Sequence, residues 1–373
     1  MQQNFLCRAA GRAAVKSRKA RPVAIRAHNK KNRQPRLQAA GRQRRRSGLK
    51  PGFAVLLLLA GLVPAIASAP GGSGGGAARP PELAVSIKPL HALVSAVMGN
   101  TGAPALIVQG SGSEHGYALR PQDAANLSKA DIIFWAGPQM EVFLQKPLQN
   151  LSPKAEIITL SAAPGVRLLP ARAGGAFALP PGDEGHSPAK TAAAGTDWHF
   201  WLDPDNAAAA VAYIAVILAQ RDPERAALYH RNAAGYRQSL QALAGRIETE
   251  LAPLRGRPFI VFHEAYQYFE RRFAIPALGA VTVNPEQAPG ARRVAAIRAR
   301  IIKAAGETPA GLCVFSEPQF EPRLVQTLID GTKARSGVLD PLGSRLPPGP
   351  QQYPALIQAL ADSLRQCLSA ARP

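Results

Sequence analysis

Residues 222–254, DPERAALYHRNAAGYRQSLQALAGRIETELAPL, carry apolar side chains at Tyr229, Ala233, Tyr236, Leu240, Leu243, Ile247, Leu251 and Leu254. Their steps of 4, 3, 4, 3, 4, 4 and 3 draw one stripe along a helix. Asp222 and Pro223 offer an N-cap and a proline at the first helical position. Roughly 30 residues make about 45 Å of helix, enough to run past two lobes as a spine. The plainer reading is a core helix that ends near Pro253.

Short apolar runs lie on both sides of this stretch, separated by helical patterns. Before it come Leu83–Ile87, Ala105–Val108, Asp131–Trp135 and Glu156–Leu160. After it come Pro258–Phe262, Leu278–Val283, Leu312–Phe315 and Ser336–Leu339. Continuous apolar runs of this length, alternating with helices, predict buried parallel strands in an α/β fold. Two groups of four predict two lobes, 82–221 and 255–373, each with a four-stranded, mainly parallel sheet flanked by helices. Residues 222–254 join them. Residues 168–196 are rich in Gly, Pro and Ala without a period and read as a mobile loop. A last helix is expected over about 353–369.

The 373 residues carry a formal net charge of +21, which raises the question of a nucleic-acid partner. The first 50 residues hold 16 Lys and Arg and no acid, leaving 29 bases against 24 acids in the remainder. The excess belongs to a leader. The body lacks the basic stripe with clustered aromatics that nucleic-acid binding needs. Phe53–Val63 is too short to span a bilayer, and Ala65-Ile-Ala-Ser-Ala69 follows it. A basic segment, a short apolar core and small residues predict a secretory signal peptide over 1–67, cleaved near Ala67 or Ala69. Arg45-Arg46 leaves twin-arginine export open beside the general route. Residues 68–81 read as a flexible tether. No later run approaches a membrane span, so a soluble, monomeric, periplasmic protein without membrane insertion is expected.

Cys7 leaves with the leader. Cys313 and Cys367 remain, either bridged, as an oxidising compartment permits, or as two buried thiols.

Seven histidines occur: His28, His91, His115, His186, His199, His230 and His263. His115 lies in the loop after the second run. His263 directly follows the run ending at Phe262, and Asp340 follows the run ending at Leu339. Open parallel sheets collect ligands at the carboxyl ends of their strands. Three imidazoles and one carboxylate suit a tetrahedral Zn2+ site. Spacing alone does not make one here, because no HxH or HxxxH pair exists. His91, near a helix start, reads as structural, and His230, beside the helical stripe, as surface.

Ser113-Glu-His-Gly-Tyr-Ala-Leu-Arg-Pro-Gln-Asp123 resembles the first metal-binding segment of the periplasmic zinc-binding proteins of ZnuA type. The runs beginning at Asp131, His199, Val261, Val283, Cys313 and Leu339 resemble further segments of that family in order. The resemblance spans about Leu83 to Leu368. It implies two α/β lobes joined by one long helix, with the metal in the cleft. It implies His115, His199 and His263 as zinc ligands, with Asp340 preferred as the fourth and Glu114 close behind. It also implies a Cys313–Cys367 bridge and, as partner, the membrane permease of an ABC zinc importer. A histidine rather than a glutamate at 263 argues for zinc over manganese or iron, the first alternative. In one respect the chain departs from the pattern. Residues 168–196 keep only His186, Asp183 and Glu184 where zinc members often carry a His-rich loop, which puts a secondary zinc trap in doubt. A secreted zinc hydrolase lacks its HExxH motif here, so no enzymatic activity is expected. A surface adhesin on the same fold lacks a lipid-anchor cysteine.

Overall fold

Eight apolar runs become strands because their side chains alternate between two buried layers. The structure is a computed structural model that describes residues 79–172, 195–307 and 311–369. They belong to one compact unit, Gly72–Pro373. In the first half, β1 (Leu83–Val85), β2 (Ala105–Leu106), β3 (Ile132–Trp135) and β4 (Glu156–Thr159) form a parallel sheet in the order β2-β1-β3-β4. β5 (Leu169–Pro170) and β6 (Thr196–Asp197) pair as a short antiparallel ribbon. In the second half, β7 (Phe259–His263), β8 (Gly279–Thr282), β9 (Cys313–Ser316) and β10 (Arg335–Val338) form a parallel sheet in the order β10-β9-β7-β8. Most strands stop short of the apolar run that predicted them. Ile87, for example, already precedes a helix and is buried there.

Nine helices connect the strands among the described residues: α1 (Lys88–Met98), α2 (Pro121–Lys129), α3 (Val142–Leu151), α4 (Pro204–Arg221), α5 (Ala226–Leu251), α6 (Gln267–Phe273), α7 (Ala291–Glu307), α8 (Arg323–Ile329) and α9 (Gln352–Ser369). The period of two sorts the strand residues. Leu83, Val85, Ile132 and Phe134 enter one large core with Phe259 and Val261 of the other sheet. Ala84, Ile133 and Trp135 face a separate cluster with Leu127, Leu144 and Leu148 of α2 and α3. Ile260 and Phe262 face a third, with Ile297, Ile301 and Val325 of α7 and α8. The inner faces of both sheets thus share one apolar interior, in which each fully buried Leu or Phe contributes about 1.5–3 kcal/mol.

α5 has 26 residues, about 39 Å, with single 3-10 turns at Pro223–Arg225 and Ala252–Leu254. It is a little shorter than the stripe suggested. Its stripe packs on α1 and α4 of the first half and on α9 and α6 of the second. Asp222 does not cap it. That carboxylate is taken by Arg225 Nη1 at 3.0 Å and by the Tyr229 hydroxyl at 2.7 Å. α9 is fastened to β9 by the Cys313–Cys367 disulfide. No helix among the described residues is long and apolar enough to cross a membrane.

Each sheet reverses its winding once, between β1 and β3 and between β7 and β9. A crevice opens beyond the carboxyl ends of the strands at such a reversal. His263 closes β7, at one of these points.

Candidate metal centre

Three separate segments feed the centre. Glu114 and His115 stand in the loop between β2 and α2, where the Ser113 hydroxyl accepts from the His115 N–H at 3.1 Å. Gly116 lies next to them, close to the second half: a Cβ there would sit 3.2 Å from the Glu286 carboxyl carbon. His199 follows β6 and opens a 3-10 turn, Phe200–Leu202. The buried Trp201 pins that turn by donating its indole N–H to the Pro341 carbonyl at 2.9 Å. His263 is carried rigidly by β7.

Glu114, His115, His199 and His263 each turn one ligand atom to a common point, all within 4.8 Å of one another. His263 Nε2 lies 3.3 Å from His199 Nε2. Two donors at about 2.05 Å from one ion, at a tetrahedral angle, stand about 3.3 Å apart. Glu114 Oε1 lies 3.7 Å from His199 Nε2 and 4.0 Å from the Nε2 atoms of His115 and His263. Glu114 Oε1 and His115 Nε2 are buried without a hydrogen-bond partner. Such orphaned polar atoms are costly unless something binds them, and a divalent cation at the common point satisfies both.

The back sides of two rings are held by carboxylates. Asp197 Oδ1 lies 2.8 Å from His199 Nδ1. Glu317, just beyond β9, places Oε2 2.7 Å from His263 Nδ1, and the Tyr266 hydroxyl donates to its Oε1 at 3.0 Å. A carboxylate behind an imidazole fixes the tautomer that leaves Nε2 free as a donor to metal. Neither acid was assigned a role from the sequence. The signals were present: Asp197 stands two residues before His199, and Glu317 sits at the carboxyl end of the strand beside β7.

Electrostatics follow from the crowding. Burial opposes ionisation of Glu114, but the attraction of the neighbouring histidine rings, His199 foremost, outweighs it and holds its carboxyl at about 2. Burial pushes His115 down to about 3, against the pull of Glu114 and with help from the other two rings. Burial also lowers His199, yet Asp197 and Glu114 outweigh it and raise it to about 10. At neutral pH the empty centre therefore holds an ionised Glu114, a neutral His115 and a proton on His199.

Of the two acids expected near the fourth position, the fold brings Glu114 together with the three histidines. Asp340 is not in the converging group. Its oxygens accept from Gln319 Nε2 at 2.8 Å, the Leu342 N–H at 3.1 Å, and the Ser344 N–H and hydroxyl at 2.6 and 2.7 Å. It is spent on building its own loop, whereas Glu114 adjoins His115 in sequence and is carried in with it. His91 is buried, with Nε2 3.0 Å from the Pro104 carbonyl, and His230 is exposed. His186, Asp183 and Glu184 lie outside the described residues.

Residues 83–367 match the family described as "ZnuA: Zinc-uptake complex component A periplasmic". The chain belongs to the ZnuA family. It is 49% identical over 310 residues to the high-affinity zinc uptake system protein ZnuA of Brucella suis, covering 76% of this chain and 91% of that one. It is 33% identical over 310 residues to the protein of the same name from Paracoccus denitrificans, with 79% and 93% covered. Its fold matches a crystal structure of ZnuA with a TM-score of 0.61 at 24% identity, covering 76% of this chain and 98% of that one.

Proposed function

We propose that this protein is an exported, periplasmic binding protein that captures Zn2+ and delivers it to the permease of an ABC importer. The observation that carries this reading is the convergence of three imidazole Nε2 atoms and one carboxylate oxygen on a single buried point. Three nitrogens and one oxygen match the preference of zinc, whereas magnesium, calcium and manganese favour oxygen-rich sites. His115, His199, His263 and Glu114 are assigned as the ligands. Membership of a zinc-uptake family points the same way, and the relatives from Brucella and Paracoccus carry zinc uptake in their names.

Four protein ligands leave no open position for an activated water, so the site suits holding rather than hydrolysis. Zinc is here the cargo. The leader over 1–67, cleaved near Ala67 or Ala69, supplies export, and the lobes 82–221 and 255–373 close on the metal from either side of 222–254. Elemental analysis of the purified protein, with anomalous scattering at the zinc edge, tests the assignment. One zinc per chain between the three histidines is expected. An iron- or manganese-loaded protein that rejects zinc in calorimetric competition would overturn it.

A further inference from the structure

The ribbon of β5 and β6 is bound to the second half at a place the metal ligands do not occupy. Arg172, two residues beyond β5, donates Nη1 and Nη2 to the two oxygens of Glu270 at 2.5 and 3.0 Å. Its Nε donates to Glu264 Oε1. Glu264 is the residue after His263, and Glu270 lies on α6. Both carboxylates are buried, with side chains only 7% and 3% exposed, and Arg172 itself is 19% exposed. A bidentate guanidinium between buried acids fixes position and angle together, which a lysine does not do. The Tyr268 hydroxyl, also on α6, accepts from the Leu169 N–H of β5 at 2.8 Å and donates to the Asp197 carbonyl of β6 at 2.6 Å.

The two ends of this arrangement lead to two different metal ligands. On one side, β5 pairs with β6, β6 carries Asp197, and Asp197 holds His199. On the other, Glu264 is continuous with His263. We propose that Arg172 is a positioning residue: with Tyr268 it forms a brace that sets the spacing between His199 and His263, and so the rate at which a bound divalent cation escapes. This rests on the reading of the centre as a zinc site. The brace ties a ribbon of the first half to a strand of the second. Loosening it lets the two Nε2 atoms part from their 3.3 Å separation without removing any ligand.

The test compares the unaltered full-length protein with Arg172→Gln, Arg172→Lys and Tyr268→Phe. Zinc escape is followed by rapid mixing with excess chelator, the ligand geometry by the visible absorption of the Co2+-loaded protein, and the fold by the thermal midpoint of the metal-free protein. Outer residues that orient metal ligands change affinity by about 10- to 100-fold. Arg172→Gln is expected to speed zinc escape by about that factor and to shift the Co2+ spectrum, with one zinc per chain retained. Arg172→Lys recovers part of the loss, and Tyr268→Phe gives a smaller acceleration. Escape at the unaltered rate in Arg172→Gln overturns the proposal, as does a lower metal-free midpoint with an unchanged rate. If Arg172→Gln does not fold, Tyr268→Phe decides, and an unaltered rate there overturns it. Should the unaltered protein bind no zinc, the reading of the centre fails, which is a separate outcome.

Discussion

His115 and His263 reach the same point from opposite surroundings. The His263 side chain is 1% exposed, stands at the end of a central strand and is backed by Glu317, whose own side chain is fully buried. The His115 side chain is 24% exposed and stands on a loop whose neighbour across the gap, Glu286, comes from the other half. One ring is thus enclosed and backed by a carboxylate, and the other stands nearer the surface.

The largest expected effect tests the enclosed side. At free zinc a thousandfold above its dissociation constant, the intact protein gains about 4 kcal/mol of stability. His263→Ala should lose most of that gain in a thermal melt, because it removes a ligand and the imidazole that faces the buried Glu317 carboxylate. His115→Ala should lose less, since its ring is the more exposed of the two and has no carboxylate held against its far side. Equal losses in the two melts would erase the contrast between the sides.

Glu317→Gln and Asp197→Asn keep the size of the side chain and remove the charge behind a ring. Each should weaken zinc binding by about 10- to 100-fold in chelator competition. An effect of less than about twofold would mean that the rings are held by packing alone.

The mildest change is one of pH. His199 is raised to about 10 in the empty protein, whereas His115 lies at about 3 and Glu114 at about 2. His199 therefore carries a proton near neutrality, and zinc binding should release it. Affinity should then rise with pH, and calorimetry in buffers of different ionisation enthalpy detects the released proton. The same shift has a sign for the empty fold. A histidine raised above its unfolded value stabilises below about pH 6.5, and that contribution is lost as pH climbs through about 10. Zinc binding without proton release would break this assignment.

Much of this protein could be read along the chain, and some of it could not. The continuous apolar run Ile132–Trp135 and the 3–4 steps from Tyr229 to Leu254 are local patterns, and local patterns survive folding. The strand ends placed His115 and His263 at the rim of their sheets for the same reason. Asp340 and Glu114 were both candidates along the chain, and only the folded loop shows Asp340 engaged by Gln319, Leu342 and Ser344 while Glu114 lies with the three histidines. Asp222 looked like a helix cap and instead serves Arg225 and Tyr229, since a side chain binds whichever donor packing brings nearest.

By itself the sequence determined the α/β class, the long helix and the two groups of four strands. Periodicity and composition record which side of each element must leave water, and burial of apolar area is what drives the chain together. Only the tertiary structure decided that Glu114 joins the group, that Asp197 and Glu317 face the rings, and that Arg172 ties the ribbon to Glu264 and to Glu270 of α6. Those partners lie up to about 150 residues apart, and their energies depend on distance and burial, which no run of neighbouring residues encodes.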